Sequence, residues 1–230
     1  MNDQQKFCYV SIGPTCLAAG TLKWTKLRTC SFIFDWAKSG DNHLKDSLSL
    51  SPNDFYIKHI QEPAVHLEEY ETEASIANNT YPLREKKHDY GSSFYQNPHK
   101  HVGEEKDYYI RCLERMARAI KCKNTHKIFF YQDSSENKMT SSLHQTATTI
   151  SDILENKVAG SHEIVVARAI SDEKQILPEA KNQRVNSKSQ ISLIKYNSIM
   201  MTENAKAWHE LNGRILFPNH KYHRQNLWTP

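Results

Sequence analysis

Glycine and proline are scarce in this chain, at 7 and 8 of 230 residues. That scarcity excludes collagen-like and low-complexity architectures. No apolar run approaches the roughly 18 residues of a membrane span. The longest runs, Ile164–Ala167 and Ile128–Tyr131, have the length of strands. A surplus of one charge is missing too: 30 Lys and Arg stand against 26 Asp and Glu, a net charge of +4. The basic residues are scattered among acids, whereas a nucleic-acid binder gathers its positive charge on one face. Nucleic acid is therefore not an expected partner. The cysteines, at 8, 16, 30, 112 and 122, are odd in number and form no C-x-x-C. This excludes a disulfide framework and a cysteine-rich zinc site. The polar opening, Met1 to Lys6, lacks the plan of a signal peptide. These absences together lead to the expectation of a soluble cytoplasmic protein with no membrane partner.

What is present is a β/α rhythm. Phe7–Ile12 reads as a strand and Gly13-Pro14 as a turn. A helix capped by Thr15 runs through Leu17, Ala18 and Leu22 toward Lys26. Ser31–Trp36 is a second apolar run. From Glu104 a helix is predicted, with Tyr109, Leu113, Met116, Ala117 and Ile120 on its core face. Strands follow at 127–132, 163–169 and 191–196, and a last one at 215–217. Helices are predicted at 140–157 and 202–212, the former with Ser142 and Gln145 as its capping box and Gly160 just past its end. This alternation predicts an α/β fold: three layers, a mostly parallel sheet and helices on both faces. One domain spans 1–230. Residues 50–104 show poor periodicity and read as a polar insertion or lid with little regular structure. Arg111, Arg115 and Arg118 recur at i, i+4 and i+7 on the 104–121 helix. They read as a solvated face, with an anion-binding stripe as the alternative.

Cys16 stands out. It follows a strand and a tight turn and opens a helix, and ligands of open α/β sheets bind at the carboxyl ends of strands. Unsatisfied N–H groups at a helix start stabilise a thiolate and can hold a developing oxyanion. The competing reading is a buried structural cysteine on the first turn.

The run Ser11-Ile12-Gly13-Pro14-Thr15-Cys16, followed by Leu27-Arg28 and by Phe34-Asp35-Trp36, resembles a mostly bacterial family classed as papain-like cysteine peptidases. Ile33 stands where that pattern has proline. His88-Asp89 looks like the family's His-Asp pair, and Arg111–Met116 looks like its Arg-rich helix. The resemblance covers roughly residues 7–132. It implies Cys16 as nucleophile and His88 as its base. A third group must orient the base. Asp35 is preferred for this role. Asp89 is the alternative, disfavoured because neighbours in extended chain point to opposite faces. Backbone N–H groups at Thr15 and Leu17 would form the oxyanion site, and Arg28 and Trp36 would contact substrate.

The papain signature C-G-[SA]-C-[WY] is missing. The glycine turn and cysteine after the first strand also resemble the Gly-Asn-Cys-Gln opening of capsule-polysaccharide acetyltransferases, whose acyl donor is a coenzyme A thioester. Hydrolysis and acyl transfer share an acyl-thioenzyme, so both readings stay open, with a small-molecule, peptide or glycan substrate. No metal is expected. His99 with His101 and His220 with His223 have ligand-like spacings, but neither pair belongs to a recognised zinc pattern. The rival without catalysis is a binding module that uses residues 50–104 and the aromatic segment Tyr222–Trp228 as partner surfaces.

Overall fold

Apolar residues at alternate positions of the strands divide between two cores. Tyr9, Ile128, Phe130, Val165 and Ala167 join one cluster, together with Ala18 and Leu22 of the first helix. Val10, Phe129, Tyr131, Ile164 and Val166 join the other, with Leu113, Met116, Ala147 and Ile150 from two later helices. Alternation is what a pleated strand imposes, since successive side chains leave opposite faces. When both sets are apolar, the strands are covered on both faces, as parallel sheets require.

The structure, a computed structural model, describes residues 5–13, 17–35, 37–38, 41–61, 84–87, 93–96, 102–134, 143–170, 179–184, 189–197, 216–217 and 223–230. The main sheet contains β1 (Lys6–Ser11), β5 (Thr125–Ser134), β6 (His162–Ile170), β7 (Glu179–Arg184) and β8 (Ser189–Asn197). Their order is β1-β5-β6-β8-β7. Pairs β1–β5, β5–β6 and β6–β8 are parallel, and β7 runs antiparallel along β8 at one edge. This is an α/β fold with a mostly parallel sheet, as the sequence predicts. A second sheet joins β2 (Ala37–Lys38), β4 (Ser93–Gln96) and β3 (Arg84–Lys87) in antiparallel pairs.

Helix α1 spans Leu17–Trp24. It closes with Lys26 at φ 58°, Lys26 N–H bonding the carbonyl of Lys23 and Leu27 N–H that of Leu22. This is a Schellman ending with lysine where glycine is usual. Two further helices, α2 (Asp41–Ser47) and α3 (Pro52–Tyr56), precede a π-helical turn at Ile57–Gln61. The Ser51 hydroxyl caps α3 by accepting from Asp54 N–H, and Pro52 sits at its first turn. Residues 52–61 are therefore regular and partly core, with Phe55, His59 and Ile60 buried, where little regular structure was expected. The 62–83, 88–92 and 97–101 parts of the expected insertion lie outside the described residues.

Helix α4 spans Val102–Lys121. Its buried face is Tyr109, Cys112, Leu113, Met116, Ala119 and Ile120. Ala117, expected on that face, is only half-buried. Helix α5 covers Leu143–Leu154, and Leu143, Ala147, Ile150 and Leu154 face the core as predicted. Ser142 of the expected capping box lies outside the described residues. Gly160, at φ 76°, lies beyond the helix end as expected.

Lys127 is fully buried, with its ammonium donating to the carbonyls of Cys122 and Ala159. It ties the end of α4 to the loop after α5. The last expected strand is corrected: Leu216 is helical, and it and Phe217 are buried against β1 and β5. The expected helix at 202–212 lies outside the described residues. Among the described residues, no helix is long and apolar enough to cross a membrane.

The segment 223–230 lies along β1. Phe7 and Leu227 form a parallel bridge, and Trp228 N–H donates to the carbonyl of Phe7 at 2.8 Å. Trp228 is 8% exposed and stacks near Phe32, with ring centroids 6.5 Å apart. The expected partner surface at Trp228 is therefore a core contact, because an indole of this size finds its burial against β1 and the 32–34 turn.

Candidate functional site

The carboxyl end of β1 gathers buried polar groups. Ser11, its last residue, is 1% exposed, as is Asp35. The Ser11 hydroxyl donates to Asp35 Oδ1. Phe32 N–H donates to Asp35 Oδ2 at 3.1 Å, and Arg28 Nη1 lies 3.1 Å from the same oxygen. Both carboxylate oxygens are thus engaged. The local chain explains the arrangement. The Schellman ending of α1 reverses the backbone, so Arg28 departs toward the Phe32–Asp35 turn, where Asp35 N–H bonds the carbonyl of Phe32 at 3.3 Å. Phe32, Ile33 and Phe34 are buried in the core and hold that turn against β1.

Burial raises the Asp35 carboxyl above the ordinary range, while Arg28, Ser11 and the Phe32 N–H oppose the shift. Desolvation disfavours the charged form, and three partners restore part of the loss. Arg28 also donates from Nη2 to Ser31 Oγ at 3.3 Å.

Next to Ser11 the backbone passes close to its neighbours. A Cβ built on Gly13 would meet Gln132 N and O at 3.2 Å and Ala18 Cβ at 3.3 Å. Ile12 N–H bonds the carbonyl of Phe130. Buried Gln132 accepts from the Thr21 hydroxyl at 2.9 Å, joining the end of β5 to α1. Gly13 just past β1, helix α1 and the end of β5 are therefore packed closely together.

Of the residues singled out from the sequence, the structure brings Asp35 and Arg28 together as an ion pair. Arg28, expected to contact substrate, spends charge on Asp35 and Ser31 instead of facing solvent alone. Leu17 opens α1 and is half-buried. Cys16, Thr15, Trp36, His88 and Asp89 lie outside the described residues, as do His99, His101 and His220. His223 is described: its ring stacks on Phe7 at 3.8 Å, and Nδ1 shares a hydrogen bond with the Tyr9 hydroxyl.

Thr21 and Gln132 escaped notice in the sequence, and Ser11 entered it only as part of the Ser11–Cys16 run. Their signal was polarity at the carboxyl end of an apolar strand or on a buried helix face, where a lone polar residue needs a partner.

Cys8, Cys30 and Cys112 are poor nucleophiles. Burial pushes Cys112 up to about 11, opposed by a hydrogen bond to Tyr108 and by Arg115. Burial also raises Cys8 and Cys30. In comparisons with protein-family models, curated proteins and solved structures, nothing matches the chain.

Proposed function

We propose that the chain is a cysteine-dependent enzyme, a papain-like peptidase or related hydrolase, with acyl transfer to a sugar hydroxyl as the alternative outcome of the same chemistry. The observation that carries this reading is the buried Ser11–Asp35–Arg28 cluster at the carboxyl end of β1. Buried charge is costly to maintain, and enzymes concentrate it beside reacting groups. Only the residues from Ile12 to Cys16 separate β1 from α1, and Cys16 is bonded to the first residue of that helix.

In this mechanism the Cys16 thiolate attacks a carbonyl carbon. Backbone N–H groups at Thr15 and Leu17 hold the oxyanion. His88 takes the thiol proton and returns it to the leaving group. Water or a hydroxyl then attacks the acyl-thioenzyme, releasing the thiolate. The donor is a peptide, glycan or small-molecule acyl group, or a coenzyme A thioester if the acceptor is a sugar. Asp35 orients the base from a different element, and Trp36 contacts substrate. The reading also includes three layers, with the polar remainder of 50–104 beyond the helical 52–61 as an insertion or lid.

Site-resolved alkylation from pH 5 to 9 tests the assignment. The raised Cys8, Cys30 and Cys112 thiols should stay silent near pH 6, which leaves a clean background. Cys16 should label at pH 6 at least ~10 times faster than Cys112, and His88→Ala should remove the advantage. Equal labelling of Cys16 and Cys112 would sink the proposal.

A further inference from the structure

The arginine stripe on α4 is not uniform. Arg111 and Arg118 are exposed, as a solvated face requires, but Arg115 is half-buried. It shares a helix face with Tyr108 and Cys112, at spacings of seven and three residues. That face meets the loop after α1. Tyr108 hydrogen-bonds with Ser31, which also accepts from Arg28 Nη2 at 3.3 Å. Cys30 packs on the same core cluster and is half-exposed. The charges of both Arg28 and Arg115 act on its thiol. Arg28, already paired with buried Asp35, and Arg115 on the α4 face thus both lie near Cys30. Side-chain hydroxyls of Ser31 and Tyr108 complete the rim. The balance is one net positive charge with planar donors, the chemistry that recognises an oxyanion.

We propose that the 28–31 loop and the Tyr108–Arg115 face of α4 form a binding site for a ligand's oxyanionic group, a phosphate or a carboxylate, with Cys30 at its side. Arg115 supplies the second guanidinium, and Arg28 is held in place by Asp35. The site stands whether or not Cys16 is a nucleophile, because none of its members lies among residues 14–16.

Cys30 is the reporter. Its labelling in the full chain is measured at about pH 9, where a raised thiol begins to react. The reagents are anionic iodoacetate and neutral iodoacetamide, each with and without inorganic phosphate or acetate. The iodoacetate to iodoacetamide rate ratio at Cys30 should fall about threefold in Arg115→Gln, as local positive potential is lost. Phosphate or acetate should slow labelling of wild-type Cys30 but not that of Arg115→Gln. Arg115→Lys, a milder change that keeps the charge, should hold the ratio while weakening protection. Protection by phosphate alone identifies a phosphate group, and by acetate alone a carboxylate. A ratio unmoved by Arg115→Gln overturns the site. So does an altered ratio without protection by either anion, which would mean a diffuse field and no binding.

Discussion

Asp35 shows how one residue's environment constrains its chemistry. Its carboxylate holds the Ser11 hydroxyl, the Phe32 N–H and the Arg28 guanidinium at once. Removing it strands a largely buried arginine and a buried hydroxyl. Asp35→Ala should therefore cost about 3 kcal/mol, read by denaturant unfolding, because breaking a buried pair leaves an uncompensated charge. Asp35→Asn keeps the shape and should cost less at neutral pH than at pH 4. The sign follows from the raised carboxyl. The folded state retains its proton to higher pH than the unfolded chain, so wild-type stability falls as pH rises through that interval. The asparagine lacks this loss. A gap between wild type and Asp35→Asn that widens from pH 4 to pH 7 would show that the Arg28 pairing outweighs burial.

At the scale of elements, the turns that end helices carry the clearest stability predictions. Gly160, at φ 76°, brings its α-carbon so close to Lys123 that an added Cβ would lie 2.6 Å from that carbonyl oxygen. The same loops are joined by Ala159 N–H to the Ile120 carbonyl, and by buried Lys127. Gly160→Ala should destabilise by about 2 kcal/mol, more than the ~1 kcal/mol of left-handed strain alone. Asn156, also left-handed at φ 60°, should tolerate glycine within a few tenths of a kcal/mol. Equal stability of Gly160→Ala and wild type in thermal melts would refute the clash.

Legibility in the sequence followed apolar pattern. Helix α5 and strand β6 carry clean periodicities and were readable. Strand β7, Glu-Ala-Lys-Asn-Gln-Arg, has no apolar face to read, because an edge strand can remain polar. The second sheet escaped for a related reason: Arg84–Lys87 is wholly charged. Phe55 and Ile60 belong to a run too short to show a clear period, which masked their burial. At the site, Asp35 was identifiable as a carboxylate in an apolar run. Its bond to Ser11 was not, because tertiary contact between a strand end and a turn leaves no local pattern.

The whole molecule manages both edges of its main sheet. Polar β7 closes one side, and the segment 223–230 covers β1 on the other. That segment is tied at several points. Arg224 donates to the Thr25 carbonyl at the end of α1, the Thr29 hydroxyl donates to the Trp228 carbonyl, and Trp228 joins the core. Deleting residues 223–230 should lower Tm by about 10 °C, given ~3–5 kcal/mol for losing a buried tryptophan and 2–4 °C per kcal/mol for a domain of this size. It should also promote association through the bared strand, visible as light scattering. A deletion variant that melts with the full chain and stays monodisperse would show that the cover is dispensable.

The same cover sets a timetable for synthesis. Strand β1 is synthesised long before its partners: among the described residues its sheet neighbour, β5, begins at Thr125, and the residue that bridges its far side is Leu227. Until Thr125–Ser134 has emerged, Phe7–Ser11 is an unpaired apolar ribbon, and until Leu227 follows its far edge stays bare. Nascent chains stalled before Leu227 should thus be the species that chaperones hold most firmly.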